Sequence, residues 1–489
     1  MPARPILIFI LLALGGCNVG PKYVAPKLPA PPAFKEATPA AFSGASTGAW
    51  QVALPQDSVL KGKWWELFNE PELNELEEKL NIDNQNIAQY FQNFMAARAQ
   101  VREARAAYFP TVSVNPAYTQ SKSGAGVSTN NTTASTGTAK SSVFSDYSLP
   151  FEVSWEPDLW GRVRNTVSQY RFAAQVGAAD LQNEILTEQA ALAVYYFQLR
   201  GQDALQQVYN RTIEIDRQQL ELTRTLYETG IDSQESVAQA DVTLKNAEAE
   251  GIGIATNRAI YEHAIATLTG QSASTFSLPV KALTTKVPEI PIGVPSQLLQ
   301  RRPDIAAAER TMMEANAIIG VEKAAYYPAV SLTGSGGLQS SSIAKLFSLP
   351  ALIWSIGASA SETIFDAGLR RAAVTQYTAT YNADVAAYRQ TVLTAFQQVE
   401  DYIATLRVVS QQLAKQDEVI AAAQKNLDIA TDRYKTGLDP YLNVITAENT
   451  LLTSQQSQVT LRVSEISGSV QLIQALGGGW EQSQLPTVK

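Results

Sequence analysis

Tyr227-Glu228-Thr229-Gly230-Ile231-Asp232 returns 207 residues later as Tyr434-Lys435-Thr436-Gly437-Leu438-Asp439. A match that keeps Tyr, Thr, Gly and Asp at one spacing marks a structural unit used twice. The same offset pairs Gly161 with Gly368, Gln169-Tyr170 with Gln376-Tyr377, Tyr195 with Tyr402, and Leu199-Arg200 with Leu406-Arg407. Upstream, Ala106-Ala107-Tyr108-Phe109-Pro110 matches Ala324-Ala325-Tyr326-Tyr327-Pro328 at an offset of 218. The change in offset falls in the segment between these blocks, which therefore accepts insertions as surface loops do.

Each copy contains a long tract without proline, from Pro157 to Pro279 and from Pro350 to Pro440. Both tracts are rich in Ala, Gln, Leu and Glu, which favour helix. Leu181, Ile185, Leu192, Tyr196 and Leu199 recur at spacings that suit a narrow coiled-coil-like stripe. A continuous helix from Arg162 to Tyr227 would be roughly 100 Å long. So narrow a stripe cannot bury such a helix alone, so it needs lateral neighbours. Gly230 and Gly437 are expected to end the helices and turn the chain, with Pro440 opening the next helix. Each half thus reads as a very long helical hairpin.

The rest of each copy has a period of two. Tyr147, Leu149, Phe151, Val153 and Trp155 alternate with Ser148, Pro150, Glu152 and Ser154. Trp354, Ile356, Ala358 and Ala360 alternate with small polar residues in the second copy, and shorter alternations begin at Val112 and Val330. A Ser/Thr/Asn/Gly-rich loop, Ser121 to Ser142, joins the first pair, and a similar one is expected in the second. Alternation of this kind fits a half-exposed antiparallel sheet in a soluble protein, and it also fits a membrane barrel. Pro150 lacks a ladder donor and argues against a central strand there. Four strands cannot close a barrel, and open edges in lipid are forbidden. Strands that cross a membrane would therefore require a dimer with eight strands or a trimer with twelve.

The N-terminus favours the membrane. Ile6 to Gly16 is apolar, follows Arg4, and is too short to span a bilayer, so it reads as a secretory signal peptide. Leu14-Gly15-Gly16-Cys17 resembles the bacterial lipobox, which implies cleavage after Gly16 and a covalent lipid on Cys17. A Pro-rich stretch and then a Gly/Ser/Thr-rich one follow, as in a tether. Gly44-Ala45-Ser46-Thr47-Gly48 copies a hydrolase pattern without the strand–turn–helix setting that pattern needs. Composition also argues against catalysis. One Cys, one His (His263) and four Met leave no material for a thiolate cluster, a triad or a soft-metal relay. A net charge of −8 argues against a nucleic-acid partner. No enzyme activity, metal or cofactor is expected beyond the lipid on Cys17.

Taken together, these residues resemble the outer membrane factor family, the TolC-like exit ducts of tripartite efflux pumps, in its lipoprotein branch. The resemblance runs over nearly the whole chain. It includes Val19-Gly20-Pro21-Lys22-Tyr23 after Cys17, Trp64 to Leu76, and Leu159-Trp160-Gly161-Arg162. Arg301-Arg302-Pro303-Asp304-Ile305, both Tyr-x-Thr-Gly turns and Ala475-Leu476-Gly477-Gly478-Gly479-Trp480 complete it. It implies an α+β membrane protein: a homotrimer whose twelve-stranded outer-membrane β-barrel, four strands per chain, continues into a periplasmic α-helical barrel. A belt built from the terminal segments and the Phe276 to Gln300 connector is implied as well.

The expected division is a signal peptide 1–16, a lipid-anchored tether 17–60, first-repeat helices 61–109 and a β-hairpin 110–158. A long helical hairpin 159–275, connector 276–302, second-repeat helix 303–327 and β-hairpin 328–368 follow. The second long hairpin 369–476 and a tail 477–489 complete it.

The implied function is a passive exit duct for drugs or other small molecules, in the outer membrane and extending into the periplasm. Its implied partners are a periplasmic adaptor, an inner-membrane pump of RND type and outer-membrane lipid. A type I protein-secretion duct of the same fold and a pore-free structural envelope lipoprotein are the competing readings. The family closes its duct at the periplasmic helix tips. The matching positions here are Tyr227 and Asp232 in the first tip, and Tyr434, Asp439 and Leu442 in the second. Both Asp residues could instead cap helix starts. Relatives often carry an acid–base pair one and two turns beyond the leucine. Thr446 and Asn449 stand there in this chain, so a latch of that type is not expected.

Overall fold

The fold is described by a computed structural model for residues 18–26, 31, 33–36, 62–122, 143–288, 290 and 300–487. Gly16, Cys17 and most of the expected 121–142 loop lie outside the described residues. A 3-10 turn at Trp64–Phe68 leads into α1 (Pro71–Asp83) and α2 (Gln85–Ala106). Strands β1 (Thr111–Val114), β2 (Ala117–Lys122) and β3 (Val143–Trp155) come next, then α3 (Arg162–Glu228) and α4 (Gln234–Leu268). The second repeat runs α5 (Pro303–Ala324), β4 (Ala329–Ser340), β5 (Leu352–Ser361), α6 (Leu369–Lys435) and α7 (Tyr441–Ala475).

In the three matching helix pairs the duplication holds to the residue. Helices α3 and α6 are both 67 residues long, and α4 and α7 are both 35. Helices α2 and α5 are both 22 residues long. At about 1.5 Å per residue, α3 and α6 each extend roughly 100 Å. Neither could stand alone, and each finds the neighbours its stripe requires. Within a repeat α3 packs on α4 and α6 on α7; between repeats α3 packs on α5 and α7.

Both long helices end in the same turn. Gly230 (φ 75°) and Gly437 (φ 72°) adopt the left-handed conformation. The amide of the following residue reaches back five positions, Ile231 to Leu226 O at 2.8 Å and Leu438 to Arg433 O at 2.9 Å. This Schellman arrangement satisfies carbonyls that a helix end would otherwise leave bare, and it favours Gly because no Cβ is present.

The strands form one antiparallel sheet. β1 and β2 both pair with β3, β3 with β4, and β4 with β5. Pro150 sits in the middle of β3, where a proline was not expected. The strand opposite it is interrupted between Val114 and Ala117, so the missing N–H falls against that gap. Register places Val112, Val153, Gly334 and Ile356 across one face, with Val114, Phe151, Gly336 and Trp354 in the next row. The opposite face carries Glu152, Ser335 and Ser355, with Ser335 and Ser355 hydroxyls 2.8 Å apart. One face is oily, the other polar, and Trp354 (74%) and Ile356 (83%) are left bare by the chain itself. The β4–β5 connection differs from the polar loop expected there: its short 3-10 turns expose Ile343, Phe347 and Leu349. Among the described residues no helix is long and apolar enough to cross a membrane.

The main core lies midway along the helices. Trp64, Phe68, Leu73, Tyr196, Phe197, Leu199, Ile403 and Ile473 are all buried in it. Arg200 and Asp203 sit beside this core, at 2% and 1% exposure. Arg200 donates to Asp203 at 2.8 Å, to Glu72 at 2.5 Å and to the Pro279 carbonyl at 2.7 Å. Arg258 donates to Asp203 at 2.8 Å and to the Leu278 carbonyl at 2.7 Å. The connector is thereby strapped onto α3 and α4. In the second repeat Arg407, the counterpart of Arg200, holds Glu36, while Glu400 accepts from the Lys35 amide at 2.7 Å and the Glu36 amide at 2.9 Å. One duplicated arginine fastens the connector in the first copy and the N-terminal segment in the second.

Candidate functional site

The tip residues fall into two groups. Tyr434 is buried at 4% exposure, and its hydroxyl donates to Asp232 Oδ2 at 2.5 Å. This bond joins the second-repeat tip to the first. Asp232 Oδ1 also accepts from the Ser233 amide and the Ser236 hydroxyl, each at 2.7 Å. Burial pulls the Asp232 carboxyl upward, but these three donors more than offset it and hold it below the usual carboxylate range. Burial and the Asp232 carboxylate together push the Tyr434 hydroxyl up to about 12, so it remains a donor at neutral pH. The Tyr434 ring lies 5.1 Å from that of Tyr441, the first residue of α7.

Asp439 behaves differently from its repeat counterpart. Arg433 grips it in two bonds, Nε to Oδ2 at 2.6 Å and Nη2 to Oδ1 at 3.1 Å. The guanidinium keeps the Asp439 carboxyl below its ordinary range. The residue matching Arg433 in the first repeat is Leu226, so this grip exists only in the second tip. Asp232 is not the cap of α4; that role belongs to Ser233, whose side chain accepts from the Ser236 amide. Tyr227 and Leu442 are 46% and 58% exposed and take part in none of the bonds just described. Thr446 bonds back to the Leu442 carbonyl at 2.8 Å, and Asn449 is exposed. Arg433, Ser233 and Ser236 escaped sequence reading. Ser233, a cap-forming residue directly before a helical tract, was the one that could have been found.

The chain immediately after Cys17 is docked where helices meet strands. Asn18 Oδ1 accepts from Asn165 Nδ2 at 2.9 Å, and the Val19 amide donates to the Trp160 carbonyl at 3.3 Å. Asn316 donates to the Pro21 carbonyl at 2.9 Å. Gly20 fits against Gly320, where an added Cβ would sit 3.0 Å from the Gly320 Cα. Nearby, Trp160 donates to the Pro328 carbonyl at 2.8 Å and stacks on Tyr327, two residues before β4 begins. Gly320→Ala would drive a methyl to within 2.7 Å of Asn165 and disturb its bond to Asn18. We expect a loss of about 1–3 kcal/mol and faster protease cleavage near residue 20, the measurement being limited proteolysis against wild type.

Two stretches, residues 77–271 and 294–478, match the family model described as outer membrane efflux protein. The chain is 30% identical to the antibiotic efflux pump outer membrane protein ArpC of Pseudomonas putida, over 96% of this chain and 93% of that protein. It is 26% identical to the cation efflux system protein CusC of Escherichia coli, over 98% of this chain and all of that protein. Among solved structures it superposes on the outer-membrane channel OprN with a TM-score of 0.83 and 28% identity, covering 95% of this chain and all of that one. The Campylobacter jejuni CmeC outer membrane channel shares the fold at a TM-score of 0.87 and 21% identity, covering 96% and 97% of the two chains.

Proposed function

The chain belongs to the outer membrane efflux protein family, and from that premise we propose that it is the trimeric exit duct of a tripartite efflux system, gated at its periplasmic tips. The sheet carries this reading. It has an oily face, a polar face and, among the described residues, two unpaired edges, β1/β2 on one side and β5 on the other. Unpaired edges cannot remain in lipid; with β1 and β2 lying end to end along β3 as one interrupted strand, each chain supplies four, and three copies close them into twelve strands around a polar lumen. The long hairpins then extend away from the membrane as a second, helical tube. As a passive conduit the duct leaves the work of export to an inner-membrane pump, of RND type, reached through a periplasmic adaptor. The relatives named for antibiotic and cation efflux support efflux over protein secretion.

The lipid belongs to the same proposal. It is supported by the docking of Asn18 to Pro21 beside Trp160 and Pro328, which holds the described chain just after Cys17 at the strand–helix boundary. In mild detergent the protein should run at three times the chain mass and conduct ions in planar bilayers. A monomer without conductance would overturn the duct and leave the pore-free envelope lipoprotein standing. Cys17→Ala should abolish incorporation of labelled fatty acid while leaving conductance unchanged.

A further inference from the structure

Behind the tips, the interface between the repeats contains an ionisable contact that the tip bonds do not use. Asp216 on α3 and Glu448 on α7 are 1% and 5% exposed, and their carboxyl groups lie within hydrogen-bonding reach of each other. If both were ionised, neither Asp216 oxygen nor Glu448 Oε2 would meet a donor. Leu220 on α3, Leu244 on α4, and Val444 and Leu451 on α7 belong to the same apolar core at this end of the helices. Among the described residues the ionisable groups around the pair bring no cation to it. Arg217, next in sequence, turns to Glu248 on α4 at 3.2 Å, and Lys245 joins the same Glu248 at 2.9 Å. Tyr441 from α7 faces both acids, and Tyr434 from α6 is committed to Asp232.

Two bare carboxylates in an apolar core would repel each other across a contact that only a shared proton makes favourable. We propose that Asp216 and Glu448 form a proton-binding site that clamps the first-repeat shaft to the second and favours the closed tips while a proton bridges them. This rests on reading the tips as a gate. Glu448 lies two turns beyond Tyr441, roughly 10 Å along α7. Tyr434 ends α6, which packs on α7, so a movement that parts it from Asp232 carries the second-repeat hairpin against the first and strains the α3–α7 contact.

The direction with pH follows from the raised affinity for protons. Burial lifts both groups, and the neighbouring Asp216 helps lift Glu448 to about 9. A pair that separates on opening would release its proton at ordinary carboxylate values. The closed state therefore binds more protons than the open one, and closure weakens as pH rises from the ordinary range towards about 9.

In planar bilayers the open-to-closed ratio of the wild-type channel should climb from about pH 6 to about pH 9, by at most about tenfold per pH unit for each proton released. Glu448→Gln keeps a hydrogen-bond donor and cannot ionise, so its ratio should stay low and flat; Asp216→Asn should behave alike. Infrared difference spectra of the wild type should contain the carbonyl band of a protonated carboxylic acid at neutral pH, lost in the doubly substituted protein. The same pH slope in Glu448→Gln, or no such band in the wild type, would overturn the site. Unchanged gating in Tyr434→Phe with the band intact would overturn the gate and leave the proton site standing.

Discussion

Asp203→Ala should lower stability by about 3–5 kcal/mol per chain, the largest loss expected from any single polar truncation here. The carboxylate is 1% exposed and accepts from Arg200, Arg258 and the Lys281 amide. Its removal leaves the Arg200 guanidinium, 2% exposed, with Glu72 as its one remaining carboxylate. Two charges already taken out of water then lose the partner that offset their desolvation. The connector should loosen with it, since Arg200 and Arg258 also hold the Pro279 and Leu278 carbonyls. Thermal dissociation of the purified assembly measures the loss. Arg407→Ala provides the comparison: its side chain and that of Glu36 are 25% and 21% exposed, so solvent screens their pairing and a smaller loss is expected. Equal losses from the two substitutions would show that burial does not decide the effect.

Tyr434→Phe should shift the open-to-closed ratio of the channel by roughly 10- to 100-fold towards open, as Asp232→Ala should. A hydrogen bond to a charged group is worth about 1.5–3 kcal/mol, and each 1.4 kcal/mol is about tenfold. The tyrosine change removes one hydroxyl and preserves the packing on Tyr441, so it tests the bond rather than the shape. Its pH dependence has the opposite sign to that of the buried acid pair. The Asp232 carboxyl is held low, so this bond is fully present above the ordinary carboxylate value and is lost as pH falls through its depressed one. Across the neutral range it contributes a constant term. Single-channel recording decides the matter, and an unchanged open probability in both variants would exclude this bond from the gate.

Repetition made the helices legible. The proline-free tracts and twin Gly turns announced two hairpins, and the structure gives them equal helix lengths. The sheet was half legible. β3 and β5 alternate openly, but β4 carries Gly334, Gly336 and Gly337, residues that strands ordinarily avoid. The structure accounts for Gly337, where an added Cβ would sit 2.2 Å from the Leu149 carbonyl oxygen and 2.7 Å from the Pro150 Cα, whereas Gly334 and Gly336 face open space and have no structural explanation. The tips were legible as positions and illegible as partners. Repeat symmetry suggested equal roles for Asp232 and Asp439, whereas one Arg at 433 in place of Leu226 gives them different partners. The Asp216–Glu448 contact left no signal, because its members are far apart in sequence and each looks like one acid on a helix.

Equal helix lengths also constrain how such a chain can change. The Tyr434–Asp232 bond bridges the ends of two arms built from separate halves of the sequence. Removing seven residues from each limb of one hairpin would retract its end by roughly 10 Å and strand the other. Only matched edits in both halves would shorten the tube and keep its rim level. Lineages that adjust the reach of this protein to a thicker or thinner envelope must therefore mutate in pairs, and a lone insertion in one shaft is an intermediate that selection should remove.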